Sequence, residues 1–98
     1  MDFKIVWTLR SREDLRDIAS FIAKDNTAAA LKLGDTIFQR VDTLQQFPEI
    51  GHIVPERNQS HIREIAIGNY RVVYRVRHQQ KEVEILRVWH GARGEPQI

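Results

Sequence analysis

Apolar residues repeat along this chain with two different periods, and the change of period divides it in two. Residues 3–9, FKIVWTL, are rich in β-branched and aromatic types and predict a first strand. Behind them Leu15, Ile18, Ala19 and Ile22 fall at the i, i+3, i+4, i+7 spacing of one buried helical face. Ser11 with Asp14 three residues later has the form of a capping box, and Glu13 suits the helix dipole, so this helix is predicted to open at Ser11. Residues 24–27, KDNT, interrupt the pattern, with Asn26 suited to a left-handed C-terminal cap and Thr27 to capping the next helix. A second helix is predicted from about Ala28 to Gln46, with Ala30, Leu33, Ile37, Val41 and Leu44 on one face and Phe38 beside it. Pro48 bars its continuation. Gly34 within it costs up to about 1 kcal/mol against alanine and suggests close packing on the first helix. So short a link makes the pair an antiparallel hairpin.

From Pro48 to Ser60, PEIGHIVPERNQS reads as loop, with two prolines, a glycine and a polar cluster. The period then becomes two. Strands are predicted over 62–67 (IREIAI), 70–77 (YRVVYRVR) and 82–90 (EVEILRVWH), joined by Gly68-Asn69 and by HQQK. The last is apolar on both faces between Ile85 and Trp89, which places it in the interior of the sheet. The order β-α-α-β-β-β gives an α+β fold with an antiparallel meander, its helix hairpin covering one face of the sheet. The other face is expected to be free, with the alternating arginines of the 70–77 strand pointing to it.

Composition narrows the class. With 98 residues there is room for one domain, residues 1–98, and the 42% hydrophobic and 29% charged fractions are those of an ordinary globular protein. No stretch approaches the roughly 18–20 apolar residues of a membrane span, so no membrane partner is expected. The opening MDFKIVWTLR does not read as a secretory signal, and the chain has no cysteine, which excludes disulfides, thiolate zinc sites and a cysteine nucleophile. The cytoplasm is the expected compartment. Net charge is only +2 but uneven: residues 1–49 carry seven Lys/Arg against eight Asp/Glu, and residues 50–98 carry eight against five, together with all four histidines. A basic face toward nucleic acid or an acidic partner follows.

On the face expected to be free, Arg63, Arg71, Arg75, Arg87, Arg93 and His90 come from three strands and the tail. Metal-free cleavage of RNA needs a base for the 2′-hydroxyl, cations for the phosphorane-like transition state and an acid for the leaving oxygen. His90 has the chemistry of base or acid, Arg71 and Arg93 of a phosphate clamp, and Glu64 of a second base. The plainer alternative is a hydrogen-bonded histidine at a strand end, arginines paired with Glu64, Glu82 and Glu84, and Tyr70, Tyr74 and Trp89 as packing residues. His52, His61, His78 and His90 lack ligand spacing, so neither a metal nor a cofactor is expected.

The order and spacing of several segments resemble the RelE/ParE superfamily of type II toxin–antitoxin toxins, also called plasmid-stabilisation proteins. They are EDLRDIASFIAKDNTAAA, LQQFPEIG, VPE followed by IRE, YRVVYRV and ILRVWHGAR, and they span nearly the whole chain. The resemblance implies the small RelE-like α+β fold and a cognate antitoxin that wraps the toxin, with operator DNA contacted only through that antitoxin. RelE-type members are endoribonucleases that cut mRNA on the ribosome; ParE-type members poison DNA gyrase. Arg71 matches the arginine that nuclease members place on the scissile phosphate, Arg93 a second basic residue after the last strand, and His90 a catalytic histidine of some. Glu64 joins them only in a RelE-like enzyme. The tail GARGEPQI lacks the tyrosine common in nuclease members, Arg63 is followed by Glu64 where those members often carry lysines, and HGAR is similar to the ParE branch. The resemblance therefore implies a ParE-like, non-catalytic toxin in which Arg63, Arg71, Arg75, Arg87 and Arg93 bind the target or the antitoxin.

Overall fold

In the computed structural model, which describes residues 2–98, β1 (Lys4–Trp7) is followed by α1 (Leu9–Ala23) and α2 (Thr27–Asp42). A 3-10 turn (Thr43–Gln45) follows, then β2 (His52–Ile53), β3 (Ile62–Ile67), β4 (Tyr70–Arg77), β5 (Glu82–His90) and a closing 3-10 turn (Gly91–Arg93). The five strands form one sheet in the order β1-β5-β4-β3-β2. Only β1, the strand reached through the helix hairpin, runs parallel to its neighbour; the other pairings are antiparallel. The protein is thus α+β, and β5 lies inside the sheet as its two apolar faces predict.

The start of α1 differs from expectation. Thr8, not Ser11, is the N-cap: its hydroxyl accepts from Ser11 N at 3.1 Å and donates to Ile85 O on β5 at 2.7 Å. One side chain thereby caps the helix and binds it to the sheet. Ser11 is fully buried and returns its own hydroxyl to Thr8 O. Asn26 is extended, not left-handed, and caps α2 by accepting from Ala29 N. Gly34 does not mark a close approach, because a Cβ there would meet nothing within 4 Å.

The main core lies between hairpin and sheet, where Ile37, Val41 and Leu44 meet Ile65, Ile67, Val72, Tyr74, Val76, Val83, Ile85 and Val88. Tyr74 is fully buried and its hydroxyl accepts from Gly51 N, which anchors the loop before β2; burial holds its phenol above the usual range. The opposite face is not free. Val54, Ile62 and Val73, with Leu86, form a second small core there, and Trp89 and Pro96 are buried as well. The reason lies in β5. Val73 pairs with Arg87 but Tyr74 with Ile85, so Leu86 is an extra residue, a bulge that shifts the side-chain alternation of β5 by one. Val83, Ile85 and Val88 can then all face the helices while Leu86 and Trp89 face the other way. Those apolar groups need cover, and residues 54–62 and the C-terminal tail supply it.

Candidate functional site

Arg71 stands on this second face in the middle of a carboxylate clamp. Its Nε and Nη2 donate to the two carboxylate oxygens of Glu64, and Nη1 and Nη2 reach Glu56 at 3.2 and 2.8 Å. Nη1 also lies 3.4 Å from Gly94 O of the tail. Every nitrogen of the guanidinium is engaged, the side chain is 17% exposed, and the hydrogen bonds it donates to Glu64 and then to Glu56 raise its pKa. Arg71 in turn holds the Glu56 carboxyl below its usual range. A fork satisfied by two bidentate acids has no donor left for a phosphate. Glu64, with both oxygens on Arg71, is likewise not placed as a free base.

The other sequence-predicted residues do not gather around it. His90 pairs with Tyr70 and Arg71 with Trp89, so the histidine belongs to the helix side of the sheet and the arginine to the opposite side. His90 meets the Tyr70 ring edge-on at 5.1 Å and accepts from Ala92 N through Nδ1, which assigns the ring nitrogen to capping the last turn. Arg71 and His90 both border a shallow depression of about 320 Å³ at the strand ends, but from opposite faces of the sheet. Arg63 lies opposite Tyr74, again on the helix side, and is wired to the carbonyls of Ser60, Glu49 and Gly51. The shared face expected for Arg63, Arg71 and His90 therefore does not form. β3 alternates regularly, so Arg63 shares the helix side with Ile65 and Ile67 while Ile62 belongs to the second core.

Arg75 pairs with Glu84 across the strands at 3.3 Å. Arg87 is buried and binds Asp14 of α1 with both Nε and Nη2, at 2.8 and 2.9 Å, while its Nη1 donates to Gln97 O. Asp14 also accepts from Val88 N. β1 has ended at this level, so the acid takes over the edge of β5 where the parallel ladder stops. Arg93 is different. Its guanidinium lies 4.1 Å from the centre of the Trp89 ring, Arg87 lies 4.8 Å from the same ring, and no carboxylate pairs with Arg93 among the described residues. Trp89 Nε1 donates to Gly94 O, which fixes the turn carrying Arg93. No group of three or more potential metal ligands occurs among the described residues.

Sequence reasoning missed Glu56, Asp14 and the stacking role of Trp89. Glu56 sits in a proline-flanked polar loop fifteen positions from Arg71, and no spacing rule connects the two. Asp14 looked like a capping residue because the local string fits one.

Comparison with known proteins adds an independent line. Residues 5–94 match the family profile described as the ParE toxin of type II toxin–antitoxin system, parDE. Y4kP of Sinorhizobium fredii, named as a candidate toxin, is 35% identical over 97 residues, covering 97% of this chain and 95% of that one. Toxin RelE1 of Caulobacter vibrioides is 28% identical over 93 residues, covering 93% and 96%. Among solved structures, the chromosomal ParDE toxin–antitoxin system of P. aeruginosa superposes with a TM-score of 0.73 at 25% identity, over 90% of this chain and 95% of that one. The RelBE2 toxin–antitoxin complex of Mycobacterium tuberculosis shares the fold, with a TM-score of 0.60 at 24% identity over 92% and 99%.

Proposed function

The chain belongs to the ParE toxin family of type II toxin–antitoxin systems, and from that premise we propose that it arrests growth by binding DNA gyrase and is neutralised by a cognate antitoxin. It acts in the cytoplasm, and operator DNA meets it only through the antitoxin. The observation that carries the choice of gyrase over ribosome-bound mRNA is the state of Arg71. A nuclease of this fold needs that cation on the scissile phosphate, and here Glu56 and Glu64 occupy it. Freeing it would leave two carboxylates unpaired beside the incoming phosphate, which repels them. His90, the remaining acid–base group, stands on the other side of the sheet. A binding function makes neither demand, and Arg93 supplies a cation for it, preset by Trp89. Both solved relatives are described with toxin–antitoxin partners, which supports a cognate antitoxin for this chain.

Purified chain is tested against gyrase-catalysed supercoiling of relaxed plasmid and, in parallel, against mRNA on translating ribosomes. Inhibited supercoiling with intact mRNA is the expected result. Cut mRNA with normal supercoiling would sink the reading in favour of a RelE-like endoribonuclease.

A further inference from the structure

The turn that carries Arg93 is tied down at three points. Gly91 N donates to Asn69 O at 2.8 Å, Trp89 Nε1 donates to Gly94 O at 3.2 Å, and between them Ala92 N donates to His90 Nδ1 at 3.1 Å. The first two acceptors are backbone carbonyls, which do not titrate. The third is an imidazole lone pair. A ring nitrogen accepts only while it is unprotonated, and in imidazolium both nitrogens are donors. Imidazole is also the side chain that ordinarily changes charge between about pH 5 and 8.

The groups around His90 decide where a charged ring would go. Tyr70 of β4 meets it edge-on at 5.1 Å. Beyond the end of β1 it lines a small cavity of about 80 Å³ together with Asp14 and Asp17 of α1 and with Arg93. Asp14 is committed to Arg87 and to Val88 N. Asp17 stands in no ion pair among the described residues. Arg71, on the neighbouring strand, faces the other side and is neutralised by Glu56 and Glu64. A cationic His90 thus meets a like charge at Arg93, on the turn, and an uncommitted acid at Asp17, on α1. Both interactions favour the same movement, away from the turn and toward the helix.

We propose that His90 is a positioning residue for Arg93 and makes the turn after β5 sensitive to pH. As neutral imidazole it holds Gly91–Arg93 in place, with the Arg93 guanidinium on Trp89; as imidazolium it gives up Ala92 N and releases the turn. The Arg93 surface is then ordered in the upper part of the imidazole range and loosened in the lower part. The inference rests on the proposed function only in taking Arg93 as the cation that meets the target.

Two variants separate the nitrogen from the ring. His90→Asn keeps an acceptor at a position where asparagine is a favoured cap, and it does not titrate. His90→Phe keeps an aromatic ring against Tyr70 but has no acceptor. NMR of the full chain between about pH 8 and about pH 5.5 follows the order of the Ala92 amide and the ring-current shift of the Arg93 side chain over Trp89. In the parent both should fall as the His90 ring protonates. In His90→Asn both should persist across the range, and in His90→Phe both should be low throughout. Inhibition of supercoiling by the parent, relative to His90→Asn at the same pH, should weaken at least about threefold from the upper to the lower end, as for loss of one cap. An Ala92 amide that stays ordered while His90 protonates would overturn the proposal, and this outcome is read in the parent alone even where a variant does not fold. So would a His90→Asn chain that titrates like the parent, or a His90→Phe chain as ordered as the parent at high pH. The two readings also fail separately. A turn that opens with His90 in a chain that never inhibits supercoiling removes gyrase and keeps the switch, whereas strong inhibition with no such opening keeps gyrase and removes the switch.

Discussion

Arg71, the residue that invites a nuclease reading, is held by two acids, and its energetics follow from that. With Glu64 and Glu56 only 14% and 28% exposed, Arg71→Ala leaves two adjacent carboxylates with no cation. Breaking a buried pair costs about 3–5 kcal/mol, and solvent screening at Glu56 reduces this to about 2–3 kcal/mol. Urea unfolding at neutral pH measures it, and adding Glu64→Gln should restore part of the loss. The same clamp sets a dependence on pH. Glu56 has its folded pKa depressed, chiefly by the hydrogen bonds from Arg71 and next by its own backbone. Its contribution is therefore present above the unfolded value, about 4.3, and is lost as pH falls through the lower folded value. Parent and Glu56→Gln should converge in stability below that window and diverge above it. Parallel curves across the range would show that the pair contributes nothing.

At the scale of elements, α2 carries a defect that can be repaired. Gly34 is helical, its φ is not positive, and a Cβ would meet nothing. Gly34→Ala should therefore stabilise the protein by up to about 1 kcal/mol, read as a higher urea midpoint at unchanged slope. Destabilisation would mean that the added methyl group is not accommodated in the open space beside Gly34. How much of the elements was legible follows from the same local-versus-tertiary distinction. β3, β4 and β5 match their predicted bounds because alternation is a local signal; the two helices form as expected because their apolar faces repeat four or five times, but α1 opens at Leu9 and α2 ends at Asp42, its expected last turn being 3-10. β2 was not visible: two exposed residues next to Pro55 offer no period to read. The cap of α1 was misplaced by three residues because Ser11 satisfies a local pattern, whereas Thr8 wins through Ile85 O, seventy-seven residues away. The bulge at Leu86 leaves only an ambiguous trace, apolar residues on both faces of β5, which is equally the pattern of a fully buried strand. For the candidate site, residue types were legible and their partners were not. An arginine announces itself in a sequence, but whether it is free depends on an acid in another element.

Across the whole molecule that distinction selects one residue. A net charge of +2 is too small for a long-range field to decide binding, so local cations must. Of the five arginines that the sequence offers for binding, Arg63 faces Glu49, Arg71 holds Glu56 and Glu64, Arg75 faces Glu84 and Arg87 is buried on Asp14. Substituting any of these four acts on the fold before it acts on a partner. Arg93 alone combines exposure with a fixed orientation, its guanidinium stacked on a buried indole whose N–H is itself tied to Gly94 O. An arginine so preset loses little side-chain entropy on docking, which is the character of an interface hot spot. Arg93→Ala should therefore weaken inhibition of supercoiling at least about tenfold, with thermal unfolding changed little. Arg93→Lys, which keeps the charge but not the planar stack, should fall between. Arg75→Ala should leave inhibition near that of the parent. If Arg93→Ala inhibits as strongly as the parent chain, the turn after β5 is not the surface that meets the proposed target, and the cation for it must be sought on the helices, where Arg10 and Arg16 also stand outside any ion pair among the described residues.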